Sequence, residues 1–100
     1  MRVIAHLSPG PNWIAGKTLY EQGEPIEAHR ISMRRRYDEG SLLLGGPYEG
    51  LGAGIAVLDV EDMRHATSLM DEDPGVATGV LSYEIRQLMP IFDAFERIRN

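Results

Sequence analysis

Positions alternate from Val3 to Leu7, with Val3, Ala5 and Leu7 set against Arg2, Ile4 and His6, and this period of two predicts a first strand. Ser8-Pro9-Gly10-Pro11 ends it, because neither proline can donate to a ladder and the glycine between them supplies a bend. No period holds from Asn12 to Gly23, a loop long enough in a compact domain to suggest a functional role. The repeat then becomes helical: Ile26, Arg30, Met33 and Tyr37 recur between Pro25 and Glu39, with Ile31 on the flank. Pro25 suits a first helical turn, where its missing N–H goes unused, and Gly40 suits the left-handed residue that closes a helix. Ser41 to Leu44 predicts a short buried strand and Gly45-Gly46-Pro47-Tyr48-Glu49-Gly50 a break. Gly52 to Asp59 then returns as a third strand, with Ile55 and Val57 opposite Ala56 and Leu58.

A second helix follows, its stripe formed by Met63, Ala66, Leu69 and Met70 and its start marked by Asp59 as N-cap with Asp62 three residues on. It ends at Asp71-Glu72-Asp73-Pro74-Gly75, since a residue before proline is pushed out of the α region. Val76 to Gly79 predicts one more turn, and Val80 to Leu88 a fourth strand with Leu81, Tyr83 and Ile85 on one face. Pro90 then opens a short tail helix with a greasy edge of Ile91, Phe92, Phe95 and Ile98.

The order β-α-β-β-α-β, in a single domain spanning residues 1–100, is an α+β fold of the ferredoxin-like class, a four-stranded antiparallel sheet with an extra short C-terminal helix. Helices on one face leave the other sheet face bare and partly apolar, which predicts a homodimer packed sheet against sheet. The up-and-down path also puts the start of the first helix and the end of the second at the same end of the domain. His29 lies one turn into the first helix and Asp73 ends the second, so the fold is expected to bring them together.

Composition narrows the function classes. The 100 residues are 43% apolar and 25% charged, with ten basic and fifteen acidic side chains and net charge −5, which disfavours nucleic acid and anionic membrane as partners. Absence of cysteine excludes disulfides and thiol nucleophiles. No stretch approaches the roughly 18 apolar residues of a membrane span, and Met1 to Leu7 is too short an apolar run for a signal peptide, so a cytoplasmic location is expected. Arg34, Arg35 and Arg36 read as a solvated basic face that complements the helix end. The glycines form no dinucleotide or P-loop pattern, and His6, His29 and His65 have no metal-ligand spacing. His65 is expected to be exposed and inert. Neither a cofactor nor a metal is predicted.

The run His29 to Pro47, with Tyr37-Asp38-Glu39-Gly40-Ser41-Leu42-Leu43-Leu44-Gly45-Gly46-Pro47, followed by Asp73-Pro74-Gly75-Val76-Ala77-Thr78-Gly79-Val80, resembles the YciI-like (YCII-related domain) family. Pro9-Gly10-Pro11-Asn12-Trp13 and Glu21-Gln22 resemble a subgroup of it. The resemblance covers nearly all the chain apart from the last ten residues. It implies a dimeric α/β-barrel of two ferredoxin-like domains, and a histidine–aspartate active-site dyad that by position maps to His29 and Asp73. A dehydrochlorinase acting on a chlorinated hydroxyhydroquinone is among the members, most of which have no assigned reaction.

A carboxylate that accepts the N–H of one imidazole nitrogen fixes the tautomer and leaves the other nitrogen to take a proton from a substrate. Ser32, one turn beyond His29, has no nucleophile-elbow glycines around it, so proton transfer is favoured over covalent catalysis. The expected site therefore has His29 and Asp73 as catalytic residues, and Trp13, Gln22, Gly46, Pro47 and Tyr48 as substrate-binding residues around a small cyclic or aromatic molecule. The reaction types it suits are those of a lyase, dehydrochlorinase or isomerase. Two other readings stay open: a non-catalytic ligand-binding or accessory domain acting as a homodimer, and a His29 that merely packs while Trp13 and Leu19 staple the long loop to the core.

Overall fold

The strand alternation at the N-terminus builds the centre of the sheet. In a computed structural model that describes residues 1–50 and 52–99, with side chains described through Glu96, β1 (Arg2–Pro9) lies between β3 (Gly54–Asp59) and β4 (Leu81–Leu88). The fourth strand, β2 (Leu42–Pro47), pairs with the outer edge of β3, giving the antiparallel order β2-β3-β1-β4. Two long helices, α1 (Glu24–Glu39) and α2 (Met63–Glu72), and the one-turn α3 (Pro74–Ala77) complete a ferredoxin-like α+β arrangement, with α4 (Ala94–Arg99) appended. Val3, Ala5 and Leu7 of β1 and Ala56 and Leu58 of β3 are buried with Ile26 of α1 and Ala66, Leu69 and Met70 of α2, so the core lies between one sheet face and the helices. The alternate residues Ile4, His6, Ile55, Val57, Glu84 and Arg86 occupy the opposite face.

Four local expectations are corrected. Gly45, Gly46 and Pro47 do not break β2. After a register shift between Leu42 and Leu44 they pair with Ala56, Ile55 and Gly54, and an edge strand tolerates the proline that a central one would not. A side chain at Gly54 would put its Cβ 2.7 Å from the Gly46 carbonyl oxygen, so this close pairing requires glycine. Second, the inward stripe of α1 is Ile26, His29, Ser32, Met33 and Arg36, while Arg30 and Tyr37 face outward. Arg36 is no solvated cation: its largely buried guanidinium meets Glu72 at 3.2 Å and Glu39 at 3.5 Å.

Third, α2 is capped by Asp62, whose Oδ1 accepts from the His65 backbone N–H at 2.8 Å, and not by Asp59, which ends β3. His65 is half-buried there, its Nδ1 accepting from the Glu61 backbone N–H at 3.2 Å. Fourth, the tail helix begins at Ala94 rather than Pro90, because Asp93 Oδ1 accepts from the Phe95 N–H at 3.0 Å and caps it. Ile91 and Phe92 are almost fully exposed and Phe95 half-buried; Ile98, the remaining member of the greasy edge, lies outside the residues whose side chains are described.

The tail is tied down by Arg2, a charged residue buried at the start of β1. Its guanidinium reaches Asp93 at 2.7 Å, Asp59 at 2.9 Å and Glu96 at 3.0 Å, so a buried cation is matched on several sides. The hydrogen bond from Arg2 holds the Asp93 carboxyl below its ordinary value near 3.8. Because the folded value is the lower one, this anchor is at full strength above about pH 4 and is lost as the pH falls through the folded value. Proteolysis or amide exchange of residues 90–99 between pH 6 and pH 2 is expected to show the tail released only at the acid end. Release already at neutral pH would contradict the anchor.

Candidate functional site

Helix α1 starts where Gly23, at φ +89°, turns the chain in a way that other residues resist, and Pro25 then sits in its first turn. One turn later His29 faces the corner between α2 and α3. Asp73 occupies that corner in an extended conformation imposed by Pro74, and its Oδ2 caps α3 by accepting from the Gly75 N–H at 3.0 Å and the Val76 N–H at 3.3 Å. The same oxygen lies 2.7 Å from His29 Nδ1. Asp73 is 1% exposed, and its other oxygen, Oδ1, has no partner among the described residues.

An oxygen already accepting two backbone N–H bonds is fixed as an acceptor, which assigns the proton between it and the imidazole to Nδ1. Nε2 is then the acceptor nitrogen, and it has no partner among the described residues. The carboxylate is held by two backbone N–H groups before it meets the histidine. The geometry is therefore rigid, and it orients the ring.

Gly75 is part of this rigidity. A Cβ there would stand 2.8 Å from Leu81 Cδ1, 3.1 Å from Asp73 Oδ2 and 3.2 Å from His29 Cβ. Gly75→Ala is expected to cost about 1–3 kcal/mol through overpacking, lowering the melting temperature by several degrees, and to lengthen the contact between His29 and Asp73. Unchanged melting and unchanged imidazole resonances would show that the corner yields without disturbing the pair.

His29 lines a cavity of about 400 Å³ between the start of α1, the β2–β3 hairpin and the short turn Leu19–Glu21. Its walls are mainly apolar, including Leu19, Ile26, Met33, Leu42 and Leu81, with glycine backbone from Gly45, Gly46, Gly52 and Gly54. Glu27 and Arg30 also line it, joined to each other at 2.5 Å, so they bring no net charge. The hydrogen bond and charge of Arg30 hold the Glu27 carboxyl below the usual carboxylate range. This arrangement can hold a small, largely apolar molecule and offer it one proton acceptor.

Gly46 and Pro47 line the cavity beside His29, whereas Trp13, Gln22 and Tyr48 do not. Trp13 is half-buried against the core, near Gly52. Gln22 is buried, and its carboxamide is used up within the loop: Oε1 accepts from the Ile14 N–H at 2.7 Å, and Nε2 donates to the carbonyls of Ile14, Lys17 and Thr18 at 3.1–3.2 Å. Tyr48 lines a separate groove with His6, Tyr83, Glu84 and Arg86. Burial pushes the hydroxyl of Tyr83 up to about 12, aided by its donation to Asp71 at 2.7 Å, so it stays protonated at neutral pH.

Sequence reasoning missed Gly75 and most of the apolar wall. Pro74-Gly75 beside a buried acid was the available signal for the first; the wall residues carry none that separates them from ordinary core.

Residues 1–91 match the YCII-related domain. The chain belongs to the YCII-related domain family. Among solved structures, this YCII domain is similar to the 5-chloro-2-hydroxyhydroquinone dehydrochlorinase TftG from Burkholderia phenoliruptrix AC1100, in complex with 2,5-dihydroxybenzoquinone. The two share 15% identity over 88% of this chain and 93% of that one, with a TM-score of 0.68, a likeness of fold. No curated protein matches the chain. The tail helix, Ala94–Arg99, lies beyond the part that matches the family. No helix among the described residues is long and apolar enough to cross a membrane, and no group of three or more His, Asp or Glu side chains among them is placed to hold a metal ion.

Proposed function

We propose that this YCII domain is a cofactor-free enzyme in which His29, oriented by Asp73, transfers a proton on a small cyclic or aromatic molecule held in the apolar cavity. The observation that carries the reading is the 2.7 Å contact between His29 Nδ1 and Asp73 Oδ2 beside a cavity that His29 itself lines. With Nδ1–H donated to the carboxylate, Nε2 takes a proton from a hydroxyl or an activated C–H of the substrate, and the imidazolium so formed is stabilised by the buried anion. The electron pair left on the substrate either expels a leaving group such as chloride, or reforms a double bond elsewhere in the ring with return of the proton. Both outcomes balance without an oxidant or reductant.

The fold likeness to a dehydrochlorinase supports the elimination branch, and the apolar walls support a ring over a sugar or a nucleotide. The test is turnover of chlorinated hydroquinones and unsaturated lactones by dialysed, chelator-treated protein, followed by chloride release and by absorbance. Conversion without additions is the expected result. Conversion that appears only with an added nicotinamide, flavin or metal would overturn the cofactor-free reading.

The active form proposed is a homodimer in which a second copy covers the open sheet face, where Ile4, Leu44, Ile55, Val57 and Leu88 lie beside His6, Glu84 and Arg86. Sedimentation of the purified chain is expected to give twice the mass of 11.1 kDa. A monomer at micromolar concentration would contradict it.

A further inference from the structure

We infer that Tyr20 is the specificity-determining residue of the cavity, an exposed ring held at its mouth to stack on a planar ligand whose edge faces His29; this rests on the proposed function above. Tyr20 is 79% exposed and lines the cavity, and no other large exposed apolar side chain among the described residues does so. Its hydroxyl has no hydrogen-bond partner among the described residues. Folding alone therefore gives no reason for the ring to be there.

The turn that carries it is braced. Thr18 and Glu21 form a reciprocal cap, with the Thr18 N–H donating to Glu21 Oε1 at 2.9 Å, and the buried Gln22 carboxamide gathers Ile14, Lys17 and Thr18 around the same turn. An exposed aromatic on a loosely held loop would lose much of its stacking energy in ordering; on this turn the ordering has already occurred. The cavity is also lined by Gly45, Gly46 and Gly54 of the β2–β3 hairpin, which present backbone in place of side chains. An aromatic face on a braced turn and one proton acceptor together favour a planar ring over a puckered one of equal size.

The experiment compares the affinities of a planar probe, 2,5-dihydroxybenzoquinone, and a puckered one, 1,4-cyclohexanedione, by calorimetry on the full chain. The native chain is expected to prefer the planar probe. Tyr20→Phe is expected to keep that preference, and Tyr20→Ala to remove about tenfold of the affinity for the planar probe alone, the scale of a stacked aromatic pair. A preference that survives Tyr20→Ala, or is missing from the native chain, would overturn the assignment. His29→Ala separates the two ideas: turnover unchanged by that substitution, with the planar preference still lost in Tyr20→Ala, would leave Tyr20 in its role and remove the proton-transfer reading.

Discussion

His29→Ala is expected to lower turnover of a cognate substrate by about 10²–10⁴-fold, the range over which a positioned acid or base acts, with little change in substrate affinity. The fold should survive, because Asp73 Oδ2 keeps its bonds from the Gly75 and Val76 N–H groups when the imidazole, 19% exposed, is removed. About 1 kcal/mol of stability is at stake, a melting shift of roughly 4–8 °C. Steady-state kinetics beside thermal unfolding separates the two effects. Turnover within twofold of the native chain would remove His29 from the chemistry.

Asp73 is the second large effect, and two substitutions divide its duties. Asp73→Asn can keep a carbonyl oxygen where Oδ2 now accepts from His29, Gly75 and Val76, and it places an amide nitrogen where Oδ1 already lacks a partner. Orientation and the α3 cap are then largely retained while the charge that stabilises the imidazolium is gone. The expected loss is about 10²-fold in turnover, with about 1–3 kcal/mol of stability for the buried, unpaired amide. Asp73→Ala removes cap and partner together, and is expected to lose the rate seen for His29→Ala and to unfold at lower temperature than Asp73→Asn. Equal rates for the native chain and Asp73→Asn would mean that the negative charge of Asp73 does nothing for the histidine.

The fold was readable because strands and α2 obey simple periods. β1 and β4 show their inward residues by alternation, and α2 shows Ala66, Leu69 and Met70 at helical spacing. The meeting of His29 and Asp73 was readable for a different reason, since the path of a βαββαβ chain brings those two helix ends together whatever the side chains are. Periodicity failed where a polar residue points inward to a distant partner. The inner face of α1 contains His29 and Arg36, matched by Asp73 and Glu72 from the α2–α3 corner, and β1 opens on Arg2, matched by Asp59, Asp93 and Glu96.

The cavity was harder still to read. Gln22 has the chemistry of a ligand-binding amide, yet spends it on the backbone of its own loop, and Trp13 packs behind the wall instead of forming it. Neither outcome leaves a trace in a segment without period. Gly46 and Pro47 reach the cavity only because β2 continues through them, a pairing set by Ile55 and Gly54 on the neighbouring strand.

Nitrogen-15 NMR of the His29 imidazole, assigned by comparison with His29→Ala and titrated with 2,5-dihydroxybenzoquinone, reads the central claim most directly. The account predicts a ring whose Nδ1 proton is held by Asp73, with Nε2 the nitrogen whose shift moves when the probe enters. A ring protonated at Nε2, or one whose resonances ignore both the probe and Asp73→Asn, would contradict it.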